Sequence, residues 1–201
     1  MKWFLLLLLT AALSAAPKIV YTKSFPNSTP AYVYVEISAD GSAVYKESPD
    51  DDNPTEFHLL PADTKVIFDL AERLDHFKRP LESGLKVAFM GSKTFRWMDG
   101  NDKFEQKFNY SIDEDAKTLA DWFEKITETQ MLQFNLERTI RFDKLEVNRA
   151  LIEIQAAVDR KRLIAPGRFL PMLDRIAKNE TFLHMARERA AELADLFRKA
   201  Q

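Results

Sequence analysis

"AYVYVEISADGSAVYKES", residues 31–48, decides the fold. Val33, Val35 and Ile37 alternate with Tyr32, Tyr34 and Glu36, the period-two pattern of a half-buried strand. Asp40-Gly41 then supplies a tight turn, and Val44-Tyr45 starts a returning strand. Together these predict an antiparallel hairpin. Upstream, "KIVYTKSF" predicts a shorter strand. Downstream, "LPADTKVIFDLAERLDHF" changes period: Val66, Ile67, Leu70, Ala71, Leu74 and Phe77 share one helical face, and Pro61 suits the first turn, where an N–H has no partner to lose.

The next segment, "LKVAFMGSKTFRWMDGNDKFEQKFNYS", predicts two or three short antiparallel strands. Leu85, Val87 and Phe89 alternate, as do Phe95 with Trp97 and Phe108 with Tyr110. Gly91-Ser92 and Asp99-Gly100-Asn101 provide the turns. "SIDEDAKTLADWFEKI" opens a helix whose first turn carries acids that complement the helix dipole. From there the pattern is helical throughout, with segments expected at Thr129–Phe142, Asp143–Leu163, Pro166–Lys178 and Glu180–Lys199. Asn179 is expected in the turn between the last two. The predicted class is α+β: an N-terminal antiparallel sheet with one or two packed helices, then an all-helical C-terminal part.

Charge divides the chain near the same place. Residues 15–133 hold 14 basic and 21 acidic side chains, whereas residues 134–201 hold 14 and 10. This predicts a sheet-plus-helix region at 15–128 and a helical region at 129–201, packed as one unit or as two. The first residues, "MKWFLLLLLTAALSAAP", have the layout of a secretory signal peptide, with cleavage expected after Ser14 or, alternatively, Ala16. Once it is removed, no transmembrane segment is expected. The expected location is therefore periplasmic or secreted. The chain has no cysteine, which excludes thiol catalysis, zinc–cysteine sites and iron–sulfur clusters. Formal net charge is −2, so no nucleic-acid partner is expected.

Two segments carry resemblances. The order "YVEISADGSAVY", "FHLLPADTKVIFDLAERL", "GSKTF", "FNY" and a closing helix, over residues 31–126, resembles small exported bacterial domains of unknown function. That resemblance implies fold and compartment and no activity. Residues 169–197, with the "LP-x-L" start, the Asn turn and "AR-x-x-A", resemble a single HEAT-type helical hairpin.

Candidate sites are few. In "SPDDDNPTEFHLLP", residues 48–61, Asp50, Asp52 and Glu56 have the alternation of a weak calcium loop. Pro54 stands where a further ligand belongs and no glycine is near, so the run also reads as a solvated turn. Arg160, Lys161 and Arg162 form a basic cluster at a helix end, suited to an acidic partner or lipid head groups. Trp97, with Phe95 on the same strand face, would offer an aromatic contact if exposed. "GSKT" lacks the upstream glycine of a phosphate-binding loop, and "SGLK" lacks the companion motifs of penicillin-recognising enzymes. His58, His76 and His184 stand alone, without metal-ligand spacing. No catalytic residue and no cofactor is assigned. The function expected from this is a non-enzymatic binding or interaction protein of the bacterial cell envelope, its partner an envelope protein or small ligand. A hydrolase using carboxylates with a histidine, or a structural module in envelope assembly, are the alternatives.

Overall fold

The computed structural model describes residues 16–199, so the expected signal peptide at 1–14 lies outside the described residues. Six strands form one antiparallel sheet: β1 (Lys18–Ser24), β2 (Tyr32–Ser38), β3 (Ser42–Lys46), β4 (Thr55–His58), β5 (Ser92–Asp99) and β6 (Asp102–Phe108). Their spatial order is β4-β3-β2-β1-β5-β6. The predicted α+β class holds: the sheet leads into helices α1 (Pro61–Arg73), α2 (Glu114–Phe142), α3 (Val147–Asp159), α4 (Leu170–Lys178) and α5 (His184–Lys199).

The alternation in β2 buries Val33, Val35 and Ile37, and the register continues it across the sheet. Ile19 lies between Ile37 and Trp97, and Tyr21 between Val35 and Phe95. The expected upstream strand is therefore central, and at seven residues it is as long as β2 rather than shorter. Helices α1 and α2 cover this apolar face through Ile67, Leu70, Leu119, Phe123 and Ile126. The opposite face carries Tyr34, Glu36, Arg96 and Glu105, which suits an antiparallel sheet solvated on one side. Gly41, at φ +88°, makes the first hairpin possible. A Cβ there would stand 3.1 Å from Thr64 Oγ1 and 3.2 Å from the Leu59 carbonyl oxygen.

Several sequence expectations are corrected. Residues 84–90 are not a strand. Both edges of β5 are already taken by β1 and β6, and the segment instead runs as an irregular strap held to Asn109. The loop before α1 contains β4, an edge strand paired with β3. Val66 is exposed rather than part of the α1 core face. The two helices expected on either side of residue 128 are one 29-residue helix, α2. It starts where the Asp113 carboxylate accepts hydrogen bonds from the Asp115 and Ala116 N–H groups. Nothing between Ile126 and Gln130 breaks it: the segment holds no proline or glycine, and the Thr127 and Thr129 hydroxyls donate to the Phe123 and Lys125 carbonyls within the helix.

The later helices are shorter than their apolar pattern suggests. A turn over residues 143–146 delays α3, and a 3₁₀ turn, Pro166–Phe169, precedes α4. Asn179 begins a turn in which its side chain accepts from the Thr181 N–H, so α5 starts at His184.

Helix α2, about 43 Å long at 1.5 Å per residue, belongs to two buried clusters. Its first half packs on the sheet, and Leu136 and Ile140 pack with α3, α4 and α5. Residue 128, the expected boundary, falls inside it. The two parts also touch directly. Ile164 and Ala165 join the sheet-side core, and the Arg168 guanidinium lies 4.4 Å from the Phe57 ring centroid. That guanidinium donates to Gln130 Oε1 at 3.1 Å, and burial pushes its pKa down to about 10. Among the described residues, no helix is long and apolar enough to cross a membrane.

Candidate binding groove

A cleft of about 480 Å³ opens where sheet and helices meet. Its walls are the end of β1, the β1–β2 loop, the middle of α2 and α3. Each wall has a local cause. The β1–β2 loop turns through a cis Thr29–Pro30 bond, and the Ser28 hydroxyl ties it to the Phe25 and Pro30 carbonyls. The uninterrupted α2 presents Glu124, Thr127, Glu128 and Met131 on successive turns along the floor. Val33 and Leu132 add apolar surface, and Met131 is exposed there.

The ionisable groups of the groove are paired. Lys23 Nζ lies 2.8 Å from Glu124 Oε1, joining β1 to α2. Arg162 reaches Glu128 at 2.5 Å and Asp121 at 2.7 Å, while Arg160 reaches Glu128 at 2.9 Å. Deeper in, Asn135 donates to Glu153 at 3.1 Å, linking α2 to α3. A second cleft, about 250 Å³, continues past Asn135 and Glu153 toward Phe142 and Arg149. An amphipathic trough therefore follows the α2–α3 seam. Junctions of this kind are frequent ligand sites.

The electrostatics follow from those pairs. The Asp121 hydrogen bond holds the Arg162 guanidinium above its ordinary range. Burial alone would raise the Asp121 carboxyl, but hydrogen bonds from Arg162 and Lys125 outweigh it and bring it down. The stabilisation from Asp121 is therefore complete above its unfolded pKa of about 3.9. It is lost as pH falls through the lower folded value. Asp121→Asn should reduce stability at neutral pH by less than about 1 kcal/mol, since the carboxylate is nearly half exposed. It should also flatten the fall in stability below about pH 4. Urea unfolding at neutral and acid pH checks both; an unchanged acid slope would refute the coupling.

Beside the groove, Lys93 and Lys23 are cross-strand neighbours. Burial, reinforced by the Lys23 charge, pushes the Lys93 ammonium down, and it donates to the Asn109 carbonyl at 3.1 Å. The Tyr21 hydroxyl is buried without a hydrogen-bond partner, and burial, with Glu124 next, pushes it well up.

The sequence-derived candidates are distributed differently. Arg160 and Arg162 meet acids of their own chain, and Lys161 is exposed in a turn at φ +56°. Two of the three are thus paired with acids of α2. Trp97 is only 9% exposed and packs against His76 and Phe68, so it offers no open aromatic platform. Asp50, Asp52 and Glu56 do not converge. Glu56 sits in the β4 ladder opposite Val44, and the neighbouring Asp51 carboxylate accepts from the Asn53 N–H. Among the described residues, no group of three or more His, Asp or Glu side chains is placed to hold a metal ion.

The histidines are separate. His76 lies against Trp97, and exposed His184 pairs with Glu188 at 3.1 Å. His58 shares a depression with Glu36 and Glu56, on the solvated sheet face. There Glu36 is held by Lys18 at 2.6 Å and Tyr34 at 2.7 Å, and among the described residues no hydrogen bond joins His58 to a carboxylate.

Sequence reasoning missed the groove because its residues come from four separate segments. Glu124, Glu128 and Met131 read as an ordinary polar helix face, and the only local signal was the Ser-Thr-Pro of the β1–β2 loop. No protein-family model matches this sequence, and no curated protein matches it.

Proposed function

We propose that this chain is a non-enzymatic binding or interaction protein of the bacterial cell envelope, which holds a small ligand or a partner's segment in the α2 groove. The carrying observation is the groove itself: apolar at Val33, Met131 and Leu132, and rimmed by charges already locked to one another. Such a rim orients and hydrogen-bonds a ligand. A reaction would need a free base or nucleophile, and Lys23, Glu124, Glu128 and Arg162 are all committed to ion pairs. The envelope assignment rests on the signal-like N-terminal run and on the absence of cysteine.

A hydrolytic reading has one observation behind it, the shared depression of His58, Glu36 and Glu56. The two readings separate in one experiment. Fractions of a bacterial envelope extract are screened by thermal shift against the wild type and Met131→Trp, which fills the groove. Binding to the native state alone raises the melting temperature. The expected result is a fraction that stabilises the wild type and leaves Met131→Trp unmoved. Equal shifts in both proteins, or a fraction consumed by the wild type and spared by His58→Ala, would overturn the binding reading.

A further inference from the structure

The helix-covered face of the sheet breaks its apolar pattern in one row. That row runs Val33, Lys23, Lys93, Phe108 across β2, β1, β5 and β6. Val33 and Phe108 are buried, and the adjoining row holds Val35, Tyr21 and Phe95, none with exposed surface. Two lysines thus stand side by side on a face where apolar residues are the rule. They are held differently. Lys23 has a carboxylate partner, Glu124 of α2, at 2.8 Å. Lys93 has no such partner among the described residues and donates instead to the Asn109 carbonyl at 3.1 Å. The two acids whose charge reaches it are engaged elsewhere, Glu124 with Lys23 and Glu82 with the Asn109 and Ser83 N–H groups. Lys93 borders a hollow of about 270 Å³ between β5, β6 and α2. Phe108 and Tyr110 form one side, and Ala116, Ala120 and Glu124, each one turn apart on α2, form the other. The small side chains at 116 and 120 leave the space. On its rim, Lys117 is paired with Glu114, and Asp121 with Arg162 and Lys125.

We propose that Lys93 is a nucleophilic amine that captures a small apolar aldehyde in this hollow as a reversible imine. The neutral amine is the reactive form, and the site favours it. Burial penalises the ammonium, and the Lys23 charge adds to that, so the group sits below its ordinary range. A lysine desolvated or set beside a second cation is a recurrent way to obtain a nucleophilic amine. The hydrogen bond to the Asn109 carbonyl needs one N–H, which the neutral amine keeps. In the reaction, the nitrogen adds to the aldehyde carbon, and one N–H proton passes to the carbonyl oxygen. The C–O bond then breaks, and the oxygen leaves as water with the second N–H proton, giving C=N. Nothing is oxidised or reduced, and hydrolysis reverses the step. The apolar walls set the ligand class: a short alkyl or aryl group fits along Phe108, Ala116 and Ala120. This inference stands independently of the groove, since Met131 and Leu132 take no part in it.

The test is reductive trapping of the purified protein with limiting butanal and cyanoborohydride, followed by peptide mapping. Lys93 should gain the butyl group at least about tenfold faster than exposed Lys161, because the hollow holds the aldehyde beside the amine. Lys23→Met removes the neighbouring cation and frees Glu124. It should therefore slow labelling of Lys93 at neutral pH and move its pH profile upward. Ala120→Phe fills the hollow and should abolish the preference for Lys93 with butanal, while formaldehyde, which needs little space, still labels it. Lys93→Arg should remove the fast site. Circular dichroism and melting temperature establish that each variant is folded. Met131→Trp should be labelled as the wild type is, which separates this result from any failure of the groove reading. Lys93 labelled no faster than Lys161, a butanal rate unchanged by Ala120→Phe, or a pH profile unmoved by Lys23→Met would each overturn the assignment.

Discussion

Phe95→Ala is expected to lower stability by about 3–5 kcal/mol, the usual cost of emptying a buried aromatic site. Phe95 has no exposed surface and stands at the centre of the sheet-side core. Its ring centroid is 5.0 Å from Phe108, 5.2 Å from Phe77, 5.7 Å from Tyr21 and 5.9 Å from Phe123. Those rings come from β6, the 3₁₀ turn Asp75–Phe77 after α1, β1 and α2, so the cavity would lie where four elements meet and none could close it alone. Stabilities of domains this size are about 5–15 kcal/mol in total. The variant should therefore be near the edge of folding. Urea unfolding of the wild type, Phe95→Ala and the exposed-site control Phe89→Ser measures this. A loss below about 1 kcal/mol would mean that this cluster is not the core.

Met131→Pro should cost about 3 kcal/mol or more, through the lost hydrogen bond and the clash of the proline ring with the preceding turn. Met131 is partly exposed and contributes little to either buried cluster, so the effect isolates the backbone. It should reach both sides of the break. Helix α2 holds Leu119, Phe123 and Ile126 in one cluster and Leu136 and Ile140 in the other. The predicted outcome is one unfolding transition in the wild type, and in the variant a loss of protection in both the sheet and α3–α5. Met131→Ala, which keeps the helix, should stay within about 0.5 kcal/mol of the wild type. If the variant unfolded its helical part alone and left the sheet untouched, two independent domains would be the better account.

How far the sequence carried depended on the range of the interactions. The β2–β3 hairpin is local, since alternating Val33, Val35 and Ile37 and an Asp40-Gly41 turn lie within one window. Helix α1 was equally local, starting at Pro61. Leu85, Val87 and Phe89 alternate just as well as the residues of β2, but whether a strand finds a partner is a property of the sheet. Here β5 has no free edge. Helix α2 seemed to be two because the chain's composition changes along it; the backbone responds to breakers, and none occurs near residue 128. The Arg160–Arg162 cluster was visible as charge, but its partners Glu128 and Asp121 lie more than thirty residues earlier and meet it only in the fold. The groove is the extreme case, assembled from four separate segments.

The central claim is that an unbroken α2 makes sheet and helices one body, and so gives the groove fixed walls. Native-state hydrogen exchange of the α2 amides tests it most directly. Protection should run without interruption through residues 124–135, and the amides on both sides of residue 128 should exchange with the same opening free energy. A gap in protection at residues 127–130, with distinct opening free energies on either side, would contradict it.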